Sequence, residues 1–167
     1  LFLLAFFALL AAINGGALSF APFAATASSL DPDIPGGPGL LFILALVVFG
    51  AKTGFVPFHV WMPAAYPAAP GHVAAVMSGA MVNMGIYGLV RTFTFLGIGE
   101  TWWAYTLIAV GIVSGAMGIL QALAQPSIKR SLAFSSVENM GIICPGFGVA
   151  LLCQQHGHTG AAAIAAT

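Results

Sequence analysis

The sequence predicts an all-α fold, a multi-spanning transmembrane helical bundle with one helix broken near Pro57. Three observations carry that expectation. Of 167 residues, 60% are apolar and 5% are charged, four Lys/Arg against four Asp/Glu, where a soluble domain carries about 25% charged residues. Stretches without Lys, Arg, Asp or Glu run over residues 53–90, 101–128 and 139–167, each longer than the roughly 20 residues that cross a bilayer as a helix. Strict apolar/polar alternation is absent, which argues against a closed β-barrel. A net charge of zero without a basic cluster excludes nucleic acid as a partner. Cys144 and Cys153 are nine apart in one apolar run, with no C-x-x-C and no His at zinc spacing, so no disulfide scaffold, metal site or cofactor is predicted.

Residues 1–167 read as a single transmembrane domain. Residues 1–13 are apolar like the core of a signal peptide but lack its basic leader, and further spans follow, so they read as the remnant of a spanning helix. The chain opens on Leu1 and closes on an apolar run from Gly160 to Thr167, which reads as a piece cut from a longer protein. Residues 14–39 are rich in Gly, Pro, Ser and Ala, hold Asp31 and Asp33, and predict a loop outside the membrane. Four further spans are expected at about 40–62, 72–96, 102–124 and 127–153, each bounded by Gly, Pro or charge. Lys129-Arg130 form the lone basic loop and are placed in the cytoplasm, with the acidic 14–39 loop on the opposite face. The 102–124 span gathers Gly111, Ser114, Gly115, Gly118, Gln121 and Gln125 on one side, a small-residue stripe suited to close helix packing.

Several polar residues stand at membrane depth. Lys52 lies well inside its span, where an ammonium costs about 2.5–3.5 kcal/mol or more and needs an acidic partner, a water-filled cavity or loss of its proton. A structural ion pair and a proton- or ion-relay role both satisfy that need. Pro57 removes a backbone hydrogen bond just beyond it, and Pro63, Pro67 and Pro70 are expected to keep the chain from rewinding. Broken helices at this depth are tolerated where they line hydrated cavities. His59 and His72 are thirteen apart, near the spacing of paired haem ligands, but the intervening prolines destroy the continuous helix that haem would need. As imidazoles they can pass protons or sit at the interface. A uniform 3.6-residue period puts His72, Gly79 and Asn83 on one stripe, continued by Tyr87 and Arg91. The last span puts Ser131, Ser135 and Glu138 on one face beside Asn139, and a carboxylate there must be protonated or paired. The candidate proton-path residues are therefore Lys52 first, then His59, His72, Asn83 and Glu138.

The run Gly50-Ala51-Lys52-Thr53-Gly54-Phe55-Val56-Pro57-Phe58-His59-Val60-Trp61-Met62-Pro63, the run His72 to Met81, and Gly85-Ile86-Tyr87-Gly88-Leu89-Val90-Arg91 resemble the antiporter-like membrane subunits of respiratory complex I, Mrp antiporters and membrane-bound hydrogenases. Gln121-Ala122-Leu123 and the run Ile128 to Gly141 resemble the loop and following helix of the same family. The form Val137-Glu138-Asn139-Met140-Gly141-Ile142 is most similar to the membrane subunits of hydrogenase-4 and formate hydrogenlyase. The resemblance covers nearly the whole chain and implies that it holds about the sixth to tenth helices of the family. It makes Lys52 the counterpart of the central proton-relay lysine beside the broken seventh helix. It also implies a glutamate partner on the fifth helix, and later relay groups on the eleventh and twelfth, all outside this chain. Asn83 departs from the pattern, because related hydrogenase subunits commonly carry lysine there, and an amide holds water but carries no proton charge. Where some relatives use a histidine one turn earlier, this chain has Ser78 and Gly79.

The resemblance implies a proton-translocating subunit of an energy-converting redox complex in a bacterial or archaeal cytoplasmic membrane, itself without a redox centre. Its expected partners are other membrane subunits of a hydrogenase or complex I-like assembly, the lipid bilayer, and protons or Na+. An Mrp-type cation/proton antiporter subunit is the alternative within transport. A non-transporting membrane scaffold of a hydrogenase is the alternative outside it, although a pure anchor would gain stability by losing a buried charge such as Lys52.

Overall fold

The computed structural model describes residues 2–13, 38–96 and 100–156, and these form helices and their connections without a strand among them. In chain order they are α1 (Phe2–Ile13), α2 (Pro38–Thr53), a 3-10 turn (Phe58–Trp61), α3 (Met62–Ala68), α4 (Gly71–Val76), a π turn (Met77–Met81), α5 (Val82–Leu96), α6 (Thr101–Leu123) and α7 (Ile128–Gln155). Among the described residues four stretches, Gly39–Ala68, Gly71–Phe93, Thr101–Leu123 and Ile128–Gln155, are long and apolar enough to cross a membrane. This is an all-α, multi-spanning membrane bundle with one bent helix. Most of the loop expected at 14–39, including Asp31 and Asp33, lies outside the described residues, as does His158. Its last two residues belong to α2, because Pro38 opens that helix at a position where no backbone N–H is required.

The bend arises one turn before Pro57. Proline has no N–H for the Thr53 carbonyl, and its ring crowds that carbonyl, so α2 ends at Thr53. Gly54 turns the chain with φ +87°, a left-handed conformation that suits glycine. The N–H groups of Gly54 and Phe55 both donate to the Gly50 carbonyl, at 2.8 and 2.9 Å. The chain then rewinds, contrary to the expectation placed on Pro63, Pro67 and Pro70. Pro63 sits in the first turn of α3, where its missing donor costs nothing; Pro67 is carried inside that short helix; and only Pro70 marks a true end. The bent span therefore runs to Ala68 rather than to about residue 62.

The helices α6 and α7 form the tightest pair. A Cβ on Gly141 would collide with the main chain of Gly115, one on Gly111 would strike Pro145, and one on Gly118 would lie 2.7 Å from the Glu138 nitrogen. The small-residue stripe of the 102–124 span is thus a helix-contact surface. The apolar core spreads from this pair across Leu107, Val137, Met140, Met62, Val82 and Phe42. The Phe42 ring stacks on Trp103 at 4.8 Å with the planes 5° apart, and Trp102 meets Phe42 edge-on at 5.2 Å. The helix α1 adds Phe6 to Leu41, Ala45 and Val48 of α2. The helix α5 turns Val82, Gly85, Leu89 and Thr92, all buried, toward the bundle. At one end Lys129 donates from Nζ to the Ala69 carbonyl at 3.2 Å, so the end of the bent span and the start of α7 lie at the same end of the bundle, as successive crossings require.

Candidate functional site

Interrupting a helix inside a bilayer strands backbone groups that water cannot reach. Here side chains take two of them. The Val56 N–H donates to Ser114 Oγ on α6 at 3.0 Å, and the Trp61 indole N–H reaches back to the Ala51 carbonyl at 2.8 Å. The hydroxyl of the fully buried Thr53 donates to the Phe49 carbonyl at 2.7 Å, under the close approach of Gly85 from α5. The break is consequently a fixed, hydrogen-bonded structure tied to α2, α5 and α6.

Lys52 occupies the last turn of α2, immediately before Thr53. The side chain is exposed on this bundle and makes no hydrogen bond or ion pair with a described residue. His59 lies in the 3-10 turn with its ring 6.3 Å from that of Phe134 on α7, and its Nδ1 is buried without a hydrogen-bond partner. Glu138, one helical turn beyond Phe134, is half-buried, its main chain packed beside Gly118 and its carboxylate without a described hydrogen-bond partner.

The expected stripe from His72 to Asn83 is corrected by the π turn. Residues 77–81 insert one residue more per turn than an α-helix, so a uniform 3.6 period does not carry across them. The polar residues beyond it, Asn83, Tyr87 and Arg91, do share one face, but it is exposed and lies opposite the packed face of Val82, Gly85, Leu89 and Thr92. The line is therefore not buried within this bundle. The Asn83 amide nitrogen donates to the Gly79 carbonyl at 2.7 Å, giving a carbonyl of the π turn a side-chain donor.

The structure sets His59 against Phe134 of α7, the helix that also carries the half-buried Glu138, and leaves Lys52, His72 and Asn83 on outward faces. Sequence reasoning missed the roles of Ser114, Tyr66 and Ser136. Ser114 was hidden in the packing stripe. Tyr66 is the one side-chain hydrogen-bonding group in an Ala/Pro-rich stretch from Pro63 to Pro70, which is a usable signal. Ser136, rather than Ser131 or Ser135, is the buried serine of α7, a distinction that depends on the rotation of that helix. Among the described residues no three His, Cys, Asp or Glu side chains converge as a metal site, and the Cys144 thiol donates to the Leu107 carbonyl at 3.4 Å.

Comparison with known proteins places these features in context. The family model described as "NADH:quinone oxidoreductase/Mrp antiporter, TM" matches residues 1–164. An uncharacterized protein of Mycobacterium tuberculosis is 50% identical over 127 residues, 75% of this chain and 20% of that protein. Hydrogenase-4 component B of Escherichia coli is 43% identical over 143 residues, covering 83% of this chain and 20% of the relative. Formate hydrogenlyase subunit 3 of the same organism is 32% identical over 108 residues, 65% of this chain and 18% of the relative. The chain thus spans about a fifth of the length of the curated relatives it matches. In fold it resembles a chain of the Mrp complex from Dietzia sp., with a TM-score of 0.75 at 24% identity over 98% of this chain and 31% of that one.

Proposed function

This chain belongs to the NADH:quinone oxidoreductase/Mrp antiporter transmembrane family, and from that premise we propose that it forms part of a proton-translocating membrane subunit. The parent assembly is an energy-converting redox complex of the hydrogenase-4 or formate hydrogenlyase type, in which redox chemistry sits in other subunits. The observation that carries this reading is the placement of Lys52 two residues before a bilayer-depth helix break in which Ser114 takes the Val56 N–H and Trp61 the Ala51 carbonyl. Those bonds leave the ammonium outside the fixed network, where it can exchange its proton with water or with a carboxylate from a neighbouring helix. The onward step does not use Asn83 as a proton carrier. Its amide nitrogen is engaged by Gly79, and an amide does not titrate, so ordered water passes the proton beyond Lys52.

The decisive experiment replaces Lys52 by Ala in the full-length protein within its complex. Proton uptake into sealed vesicles is expected to fall to background while the complex assembles. Unchanged uptake in the assembled variant would favour the non-transporting scaffold, a reading that the engaged amide of Asn83 keeps in play. Uptake that requires Na+ would move the assignment to a cation/proton antiporter.

A further inference from the structure

Three hydroxyl groups meet where α3, the π turn and α7 touch. Tyr66 donates to Ser136 Oγ at 3.4 Å, Ser78 Oγ lies 3.2 Å from the same atom, and Ser136 donates to the Leu132 carbonyl at 3.1 Å. A serine hydroxyl has one proton and two acceptor lone pairs. With its proton on Leu132, Ser136 accepts from Tyr66 and from Ser78, and its hydrogen-bonding capacity is used up. Strong O–H···O bonds cluster near about 2.7–2.8 Å. At 3.2 and 3.4 Å, with the Ser136 proton held by a carbonyl, the cluster is built to hold position rather than to pass protons.

What it holds is the π turn. Isolated π geometry is rare and needs local support. On its C-terminal side Val82 is fully buried in the core, and Asn83 takes the Gly79 carbonyl. Within the turn Ser78 is tied across to α7 through Ser136. Gly79 and Ala80 are exposed, and a Cβ added at Gly79 would meet nothing within 4 Å. Met77 packs against the core at the start of the turn, and the polar tie within it is that of Ser78 to α7. If the turn closed into regular α-helix, one residue would be absorbed and α4 would rotate by about 100° relative to α5. In that continuous helix His72 and Asn83 share a stripe, because eleven residues at about 100° each return to the same face.

The geometry points to Ser136 as a positioning residue that, through Ser78, latches the π turn open and holds His72 off the face of Asn83. Release of the latch aligns the imidazole with the polar stripe of α5. The consequence for transport rests on the function proposed above, whereas the latch itself does not.

The test uses the full-length protein in its complex, with the register of residues 71–96 determined structurally in the variants Ser136→Ala, Ser78→Ala and Tyr66→Phe. Ser136→Ala and Ser78→Ala are expected to convert the π turn to continuous helix and to turn His72 by about 100°. Tyr66→Phe removes a hydrogen bond from the same serine without touching the π turn, and its register is expected to remain that of the parent. Persistence of the π turn in Ser78→Ala overturns the proposal, and this half-buried position decides the matter if the buried Ser136 variant fails to assemble. Proton uptake is measured on the same samples. A changed register with unchanged uptake upholds the latch and counts against the transport reading.

Discussion

The two halves of this bundle draw on the same apolar residues and treat the helix differently. In α6 and α7 the helices run unbroken for 23 and 28 residues and close on each other through Gly111, Gly115, Gly118, Gly141 and Gly148. The two spans from α2 to α5 are each interrupted once, at 54–57 and at 77–81, and side chains bond backbone groups at both places. Lys52, His72 and Asn83 all belong to this second half. Close packing and polar display are thus assigned to different helices, and one pair serves as the rigid wall against which the other is held. Ser114 and Ser136 are where the wall grips the interrupted helices.

The contrast is broken most severely at the wall itself. Gly141→Leu would drive a side chain into the main chain of Gly115, and overpacking a well-packed interior costs about 1–3 kcal/mol and sometimes more. Loss of assembled full-length protein is expected, as read by size-exclusion chromatography. Gly79→Ala is the matched control, because open space surrounds that position, and normal assembly is expected. A Gly141→Leu protein that assembles as well as the Gly79 variant would show that the α6–α7 contact is not the rigid element.

A smaller effect is expected where the halves meet. Ser114→Ala leaves the Val56 N–H without its acceptor, at a cost of about 1–3 kcal/mol for an unsatisfied buried donor. The midpoint of thermal unfolding in detergent should fall while assembly persists. An unchanged midpoint would mean that another acceptor satisfies Val56, and that α6 does not hold the break. Glu138→Gln reads out function rather than stability. It keeps hydrogen bonding without charge, so assembly with lowered proton uptake is expected, and normal uptake would reduce Glu138 to a packing residue.

Long-range composition was legible in the sequence, and local register was not. Apolar run length alone locates helices such as α6 and α7, since the hydrophobic requirement of a bilayer leaves few other solutions. The break near Pro57 was legible too, because a missing donor is a property of one residue. Its repair was not, since the Ser114 and Trp61 bonds join residues that only the fold brings together. The π turn at 77–81 was illegible for a related reason. Met77-Ser78-Gly79-Ala80-Met81 has no residue that forbids an α-helix, and the tie to Ser136 comes from a helix 58 residues away. One unseen extra residue was enough to misplace His72 relative to Asn83. Tyr66 and Ser136 were missed for the same reason, because α3 and α7 are brought together only by the fold.

The smallest effect is expected at Asn83, and it sharpens the division between wall and display. The side chain is exposed and its face lies opposite the packed face of α5, so Asn83→Lys inserts a longer side chain without displacing a buried neighbour. The loss is one hydrogen bond to the Gly79 carbonyl, at about 0.5–1.5 kcal/mol, while the Ser78 tie to Ser136 still holds the π turn. Assembly and the detergent unfolding midpoint should remain close to those of the parent. Proton uptake should rise or stay unchanged, because an ammonium on this face adds a group that can carry a proton where the amide cannot. Misfolding of the variant would show that helices beyond this chain close over Asn83 with apolar side chains. The outward polar face of α5 would then be a packing surface, and the separation of rigid wall from polar display would fail at the position where it is drawn most sharply.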